Sequence, residues 1–154
     1  SPLTVTLGVQ NVSFVAQAVD WIPESLFQIL TAAYRHRGFS FVRILQRCPE
    51  FVGNMFEPWV HDPQRMLMLT HADGIRVSPA LQKIYRNQLP HDPADINRAR
   101  EIASSEDPIP VGILYRNPEV PCYEDLRGAG KLRTADQVRG ALDAELDKFT
   151  VWPQ

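Results

Sequence analysis

Apolar residues crowd into short blocks along the first third of the chain, and their spacing changes character from block to block. Val12-Ser13-Phe14-Val15-Ala16 is nearly continuous apolar sequence rich in β-branched and aromatic side chains, the pattern of a strand buried on both faces. Gly8 punctuates the approach to it. Asp20-Trp21-Ile22-Pro23-Glu24 joins capping chemistry to a proline whose fixed φ suits a first helical turn, with an acid at the positive end of the helix dipole. Beyond it Leu26, Ile29, Leu30, Ala33 and Tyr34 recur at helical spacing while Gln28, Arg35 and Arg37 take other faces, which predicts a helix packed by that stripe on a sheet. Gly38 falls where a left-handed C-terminal cap belongs, and Phe39-Ser40-Phe41-Val42-Arg43-Ile44-Leu45 returns at once to strand propensity.

Strand, short connection, helix and strand in that order predict a right-handed parallel crossover, hence an α/β chain with a doubly wound sheet. The chemistry of such sheets lies beyond the carboxyl ends of their strands, where Gln46-Arg47-Cys48-Pro49 falls. From Pro49 onward the prolines Pro58, Pro63, Pro79, Pro90, Pro93, Pro108, Pro110, Pro118 and Pro121 break the chain into short pieces and exclude long helices through most of it. Residues 78–85 and 93–104 read as short helices, and Val111-Gly112-Ile113-Leu114-Tyr115 as a late strand. Thr134-Ala135-Asp136-Gln137 has the form of a helix start, and Val138, Leu142, Leu146 and Phe149 give that helix one apolar edge, expected to dock on a surface. His61-Asp62-Pro63 recurs as His91-Asp92-Pro93, but nothing around the two repeats, so no solenoid is predicted.

Composition narrows the function classes. The 154 residues are 44% apolar and 22% charged, enough for a real core and unlike a disordered chain. A formal charge of −2 supplies no field for phosphate backbones or anionic lipid, so neither nucleic acid nor membrane is expected as a partner. No apolar run approaches the roughly 18 to 20 residues of a membrane helix, and no basic-then-apolar leader opens the chain; the expectation is an intracellular, cytoplasmic protein. Two cysteines are too few for a disulfide framework or for a metal cluster held only by cysteines of this chain. The opening Ser1-Pro2-Leu3-Thr4-Val5, without an initiator methionine, gives the expectation of a fragment of a larger unit.

Cys48 is the main chemical candidate. On residue type alone it is open among three roles: a small buried hydrophobe at a strand end, a soft-metal ligand, and a nucleophile whose thiolate Arg43 and Arg47 would favour. A nucleophile needs an oriented base, for which His36 and His61 are the candidates, and His71 and His91 have no further claim. His36 at a helix C-terminus reads as a solvated cap, and His61 and His91 before Asp-Pro read as turn formers. None has metal-site spacing to another histidine or cysteine. Cys122, just after the late strand, reads as structural. Gly128-Ala129-Gly130-Lys131 lacks the P-loop spacing and its preceding strand and reads as a surface turn, while Glu106-Asp107 and Glu124-Asp125 read as solvated loops.

Phe14-Val15-Ala16, the helical connection, His36-Arg37-Gly38-Phe39-Ser40-Phe41-Val42 and Leu45-Gln46-Arg47-Cys48-Pro49 together resemble the β subunit of 2-oxoacid:ferredoxin oxidoreductases. Val111-Gly112-Ile113-Leu114-Tyr115-Arg116 with Pro121-Cys122-Tyr123-Glu124 resembles the C-terminal portion of its longer, 2-oxoglutarate-type members. The resemblance implies oxidative decarboxylation of a 2-oxoacid, 2-oxoglutarate by the tail, onto coenzyme A with electrons passed to ferredoxin, or the reverse carboxylation. It implies thiamine diphosphate, Mg and a 4Fe-4S cluster, with Cys48 as the one cluster ligand in this chain. Residues 1–50 would be the C-terminal half of the thiamine-diphosphate-binding α/β domain. Residues 51–154 would be an irregular, Pro-rich extension packing on it and on partner subunits, with Met55, Trp59, Met66 and Met68 suited to an interface or to a core. The Gly-Asp-Gly to Asn motif for Mg and diphosphate, and three further cysteines, belong to the family's N-terminal half and are absent, so the chain alone is expected to be inactive. It would need that half of the β subunit and the α subunit. After Cys48-Pro49 the family commonly has Thr, an aromatic and Asn, whereas Glu50-Phe51-Val52-Gly53-Asn54 departs from it. The competing expectations are a non-catalytic assembly or regulatory module keeping half of the fold, and a Cys48-dependent hydrolase with His36 or His61.

Overall fold

A computed structural model describes residues 1–72, 75–128 and 134–149. The chain divides into two compact units, Ser1–Cys122 and residues 123–154. In the first, α1 (Pro2–Leu7) leads into β1 (Phe14–Val19), α2 (Pro23–Arg35) and β2 (Ser40–Leu45). α3 (Glu57–Val60), a short 3-10 turn (Pro63–Arg65), β3 (Met66–Thr70), α4 (Pro79–Ile84), β4 (Gln88–Pro90), α5 (Ile96–Ser104) and β5 (Ile109–Arg116) follow. Pro23 occupies the first turn of α2 with Glu24 beside it, as the sequence predicts.

The strands form one sheet in the order β2-β1-β5-β3-β4. β1 and β2 are parallel, in register from Phe14 opposite Ser40 to Val19 opposite Leu45. β5 runs antiparallel to β1 and parallel to β3, and β3 is parallel to β4. The sheet is therefore mixed: two parallel pieces of opposite direction meet at the β1–β5 seam, in place of the doubly wound parallel sheet that the crossover pattern predicts. The stretch after residue 50 is also more regular than its prolines suggest, since three of the five strands come from it.

Both faces of the sheet are covered, so β1 is buried along its whole length. On one face Phe14, Ala16, Ala18, Ile113, Met66 and Met68 pack with Ile29 of α2. On the other, Val15, Leu69 and Leu114 pack with Leu3 and Leu7 of α1 and Ala99, Ile102 and Ala103 of α5. Gly112 lets β5 approach β3: its φ is +141°, and a Cβ there would lie 2.7 Å from Leu69 Cβ.

One expectation about packing needs correction, and one open choice is resolved. α2 buries Ser25 and Ile29, while Leu30 is 43% and Tyr34 91% exposed, because the inward stripe is rotated toward the smaller side chains. Met66 and Met68 are strand residues fully inside the core and are not available to an interface, whereas Met55 is exposed.

In the second unit, α6 (Tyr123–Leu126) precedes α7 (Ala135–Asp147). α7 begins with a reciprocal capping box: Gln137 N–H donates to Thr134 Oγ1, and Thr134 N–H to Gln137 Oε1. Of the turn expected at Gly128-Ala129-Gly130-Lys131, Gly128 has φ +67°, and the other three lie outside the described residues. Among the described residues no helix is long and apolar enough to cross a membrane.

Candidate functional site

Antiparallel joining places the carboxyl ends of β1 and β2 at the same edge of the sheet as the amino ends of β3 and β5. Asp20 follows β1, and its N–H donates to Leu45 O at 3.0 Å, tying the two strand ends together. The Asp20 carboxylate accepts from Arg47 N–H (3.1 Å) and Arg47 Nε (3.0 Å), so one side chain fixes both the backbone and the guanidinium of the residue before Cys48. Arg47 also lies 5.8 Å above the Trp21 ring. Trp21 packs on Phe56 with centroids 5.7 Å apart, and Phe56 meets Trp59 edge-on at 6.3 Å. Cys48 N–H donates to Gln46 O at 3.1 Å and Cys48 C=O accepts from Val52 N–H at 2.9 Å. These bonds set the thiol, half-buried, in a tight turn at the rim of the sheet.

Below this turn the surface is pinned by a charge cluster. Arg65 forks onto Asp107 (2.6 and 3.1 Å), Trp59 Nε1 donates to Asp107 Oδ1 at 3.2 Å, and the Arg65 guanidinium stacks 4.6 Å over Trp59. The hydrogen bond from Arg65 holds the Asp107 carboxyl below its usual range, and the same bond raises Arg65. Asp107 is thus a structural clamp, correcting its reading as a solvated loop acid.

Three of the four histidines lie away from Cys48. His36 precedes β2 and Cys48 follows it, so a six-residue strand, about 20 Å, lies between them. His36 is half-buried against Phe14, centroids 5.3 Å apart, and burial, with Arg116 second, lowers its pKa. That corrects its reading as a solvated cationic cap, since the protein favours the neutral ring. His61 pairs with Glu57 one turn away on α3. His71 and His91 end β3 and β4, strands directed opposite to β2, and so stand at the other edge of the sheet. Both are buried, contrary to a turn-forming role for His91. His91 Nε2 donates to Leu114 O at 2.7 Å, and His71 Nδ1 lies 3.1 Å from His91 O. Of the two proposed bases for a Cys48 hydrolase, His36 is removed by the length of β2 and His61 is engaged with Glu57.

Cys122 is 7% exposed, in keeping with a structural role. Among the described residues no group of three or more histidine, cysteine or acidic side chains could hold a metal ion. The described residues by themselves therefore form neither a full ligand set for an iron-sulfur cluster nor a Mg site. Sequence reasoning reached Cys48 and its rim position but missed Asp20, Trp21 and Phe56 as its supports, because strand-end partners come from separate blocks of sequence.

Residues 80–130 match the family described as the C-terminal region of the pyruvate ferredoxin oxidoreductase β chain. The chain is 26% identical over 130 residues to a 2-oxoacid:ferredoxin oxidoreductase subunit beta of Sulfolobus, covering 81% of this chain and 38% of that protein. It is 29% identical over 117 residues to 2-oxoacid:ferredoxin oxidoreductase 2, subunit beta, of Aeropyrum pernix, covering 73% and 34%. To the 2-oxoglutarate oxidoreductase subunit KorB of Mycobacterium tuberculosis it is 32% identical over 77 residues, covering 49% and 20%. The chain thus spans well under half the length of the curated relatives it matches.

Proposed function

We propose that this chain is the C-terminal part of the β subunit of a 2-oxoacid:ferredoxin oxidoreductase, with 2-oxoglutarate as substrate. The observation that carries the reading is a coincidence of place. The block of sequence most like the family ends on a thiol at the carboxyl edge of the β1–β2 crossover, and the separate match over residues 80–130 runs from α4 through β5 into α6. In the proposed enzyme a 4Fe-4S cluster accepts electrons one at a time when bound, thiamine diphosphate with Mg supplies the decarboxylation chemistry, and polypeptide outside this chain holds the remainder of each site.

The chain's own residues position. Asp20 clamps Arg47, the turn closed by Val52 holds Cys48 half-buried at the rim, and Trp21, Phe56 and Trp59 form a packed row that begins under the Arg47 guanidinium. In this reading the partners are the rest of the β subunit, the α subunit, ferredoxin and coenzyme A, and the protein is cytoplasmic.

The test is an assay of the intact parent complex, anaerobically, for 2-oxoacid- and coenzyme A-dependent reduction of a viologen dye. Activity with 2-oxoglutarate is expected. A parent complex that reduces no dye with any of 2-oxoglutarate, pyruvate or 2-oxobutyrate would overturn the assignment.

A further inference from the structure

A cavity of about 250 Å³ opens on the α1–α5 face of the sheet, next to the rim that carries Cys48. Its floor is the register pair Gln17 of β1 and Arg43 of β2, which share a face because they are directly opposed in parallel strands. Leu3, Phe56, Trp59 and Ile109 wall it with apolar surface, and Glu106 stands at its edge. The volume is several times that of a water molecule and below that of a drug-sized site, so it suits a small metabolite.

Two polar groups on this floor are unspent. Gln17 is 2% exposed, and its Nε2 donates to Pro110 O at 2.8 Å, which fixes the amide orientation and leaves Oε1 buried without a donor. A buried acceptor without a partner is costly, and Gln17 is the one polar residue of the buried strand β1. Arg43 is half-buried, meets no carboxylate within ion-pair distance among the described residues, and makes only a long hydrogen bond (3.4 Å) to Ser1 Oγ. Side by side they offer a cationic fork and a pure acceptor to one ligand.

We infer that this cavity binds a small carboxylate bearing an adjacent hydroxyl or amine: the carboxylate on Arg43, the hydroxyl or amine hydrogen on Gln17 Oε1, and the short carbon skeleton against Phe56 and Trp59. A single arginine opposed by Glu106 matches one negative charge better than the two of a phosphate monoester. The inference stands on the cavity and is independent of the enzyme assignment above.

Isothermal titration of the full chain with lactate and with propionate, which has the same skeleton without the hydroxyl, tests it. Lactate is expected to bind saturably and propionate at least about tenfold more weakly, the penalty of leaving a buried acceptor unpaired. Arg43→Gln should weaken lactate binding about tenfold or more, and Gln17→Met should abolish the preference for lactate over propionate. Equal binding of the two acids, or no saturable lactate binding up to concentrations on the order of tens of millimolar, would overturn the inference. If Gln17→Met fails to fold by circular dichroism, the ratio of the two acids on the unaltered chain decides alone.

Discussion

His36 shows how a single side chain couples this fold to pH. Its pKa in the folded protein is lowered, first by burial and then by Arg116, so the neutral ring is the form the fold favours. The unfolded chain binds that proton near the ordinary value of about 6.5, so stability is full above that pH and declines as pH falls through 6.5 toward the folded value. Denaturant midpoints of the unaltered chain should drop between pH 7.5 and pH 5.5, and His36→Gln should make that drop smaller; an identical drop in the variant would contradict the assignment. Gly112 makes a sharper case. Alanine there meets Leu69 at 2.7 Å and sits at φ +141°, so Gly112→Ala should cost about 2–5 kcal/mol in chemical denaturation, and a cost under 1 kcal/mol would show the close approach to be dispensable. Neither feature is legible in the linear sequence. A lone glycine in Val111-Gly112-Ile113 does not disclose which strand lies beside it, and the place of His36 at the C-cap of α2 does not disclose that Phe14 packs against its ring. Gln17 does leave a trace, as the polar member of Val15-Ala16-Gln17-Ala18-Val19.

Individual helices and strands follow the sequence closely wherever caps and periodicity are strong. The α2 start at Pro23, β2, α4 with its Ser78 cap, β5 and the α7 capping box all fall within a few residues of where propensity puts them. α5 begins later than the Asp92-Pro93 signal suggests, because Asp95 is the true cap: its carboxylate accepts from Asn97 N–H and Arg98 N–H. Asp95→Ala should therefore destabilise the chain by about 1 kcal/mol, and Asp92→Ala by less, in urea titrations; the reverse order would move the cap. Ile29 is the α2 residue that commits to the core, so Ile29→Ala should cost about 2–5 kcal/mol, whereas Tyr34→Ala, at an exposed site on the same helix, should stay within about 0.5 kcal/mol. α1 and β3 escape a reading of the sequence because a six-residue helix and a five-residue strand rich in methionine carry too little periodicity to separate from a loop or an interface segment.

The assembled molecule owes its arrangement to something periodicity cannot encode, the direction of β5. By running against β1 it turns β3 and β4 around, gathering Asp20, Cys48, Phe56, Trp59 and the Arg65–Asp107 clamp along one edge and sending His71 and His91 to the other. That separation keeps His71 and His91 away from Cys48, which in the proposed enzyme is one cluster ligand among donors supplied from outside this chain. The chain spans 38% or less of each of these relatives. Iron content and low-temperature electron paramagnetic resonance of the anaerobically purified parent complex, with and without Cys48→Ala, test this most directly. The variant should assemble but lose the iron and the reduced-state signal of one cluster, while Cys122→Ala keeps both. Unchanged iron and an unchanged signal in Cys48→Ala would contradict the central claim that this rim thiol is a cluster ligand.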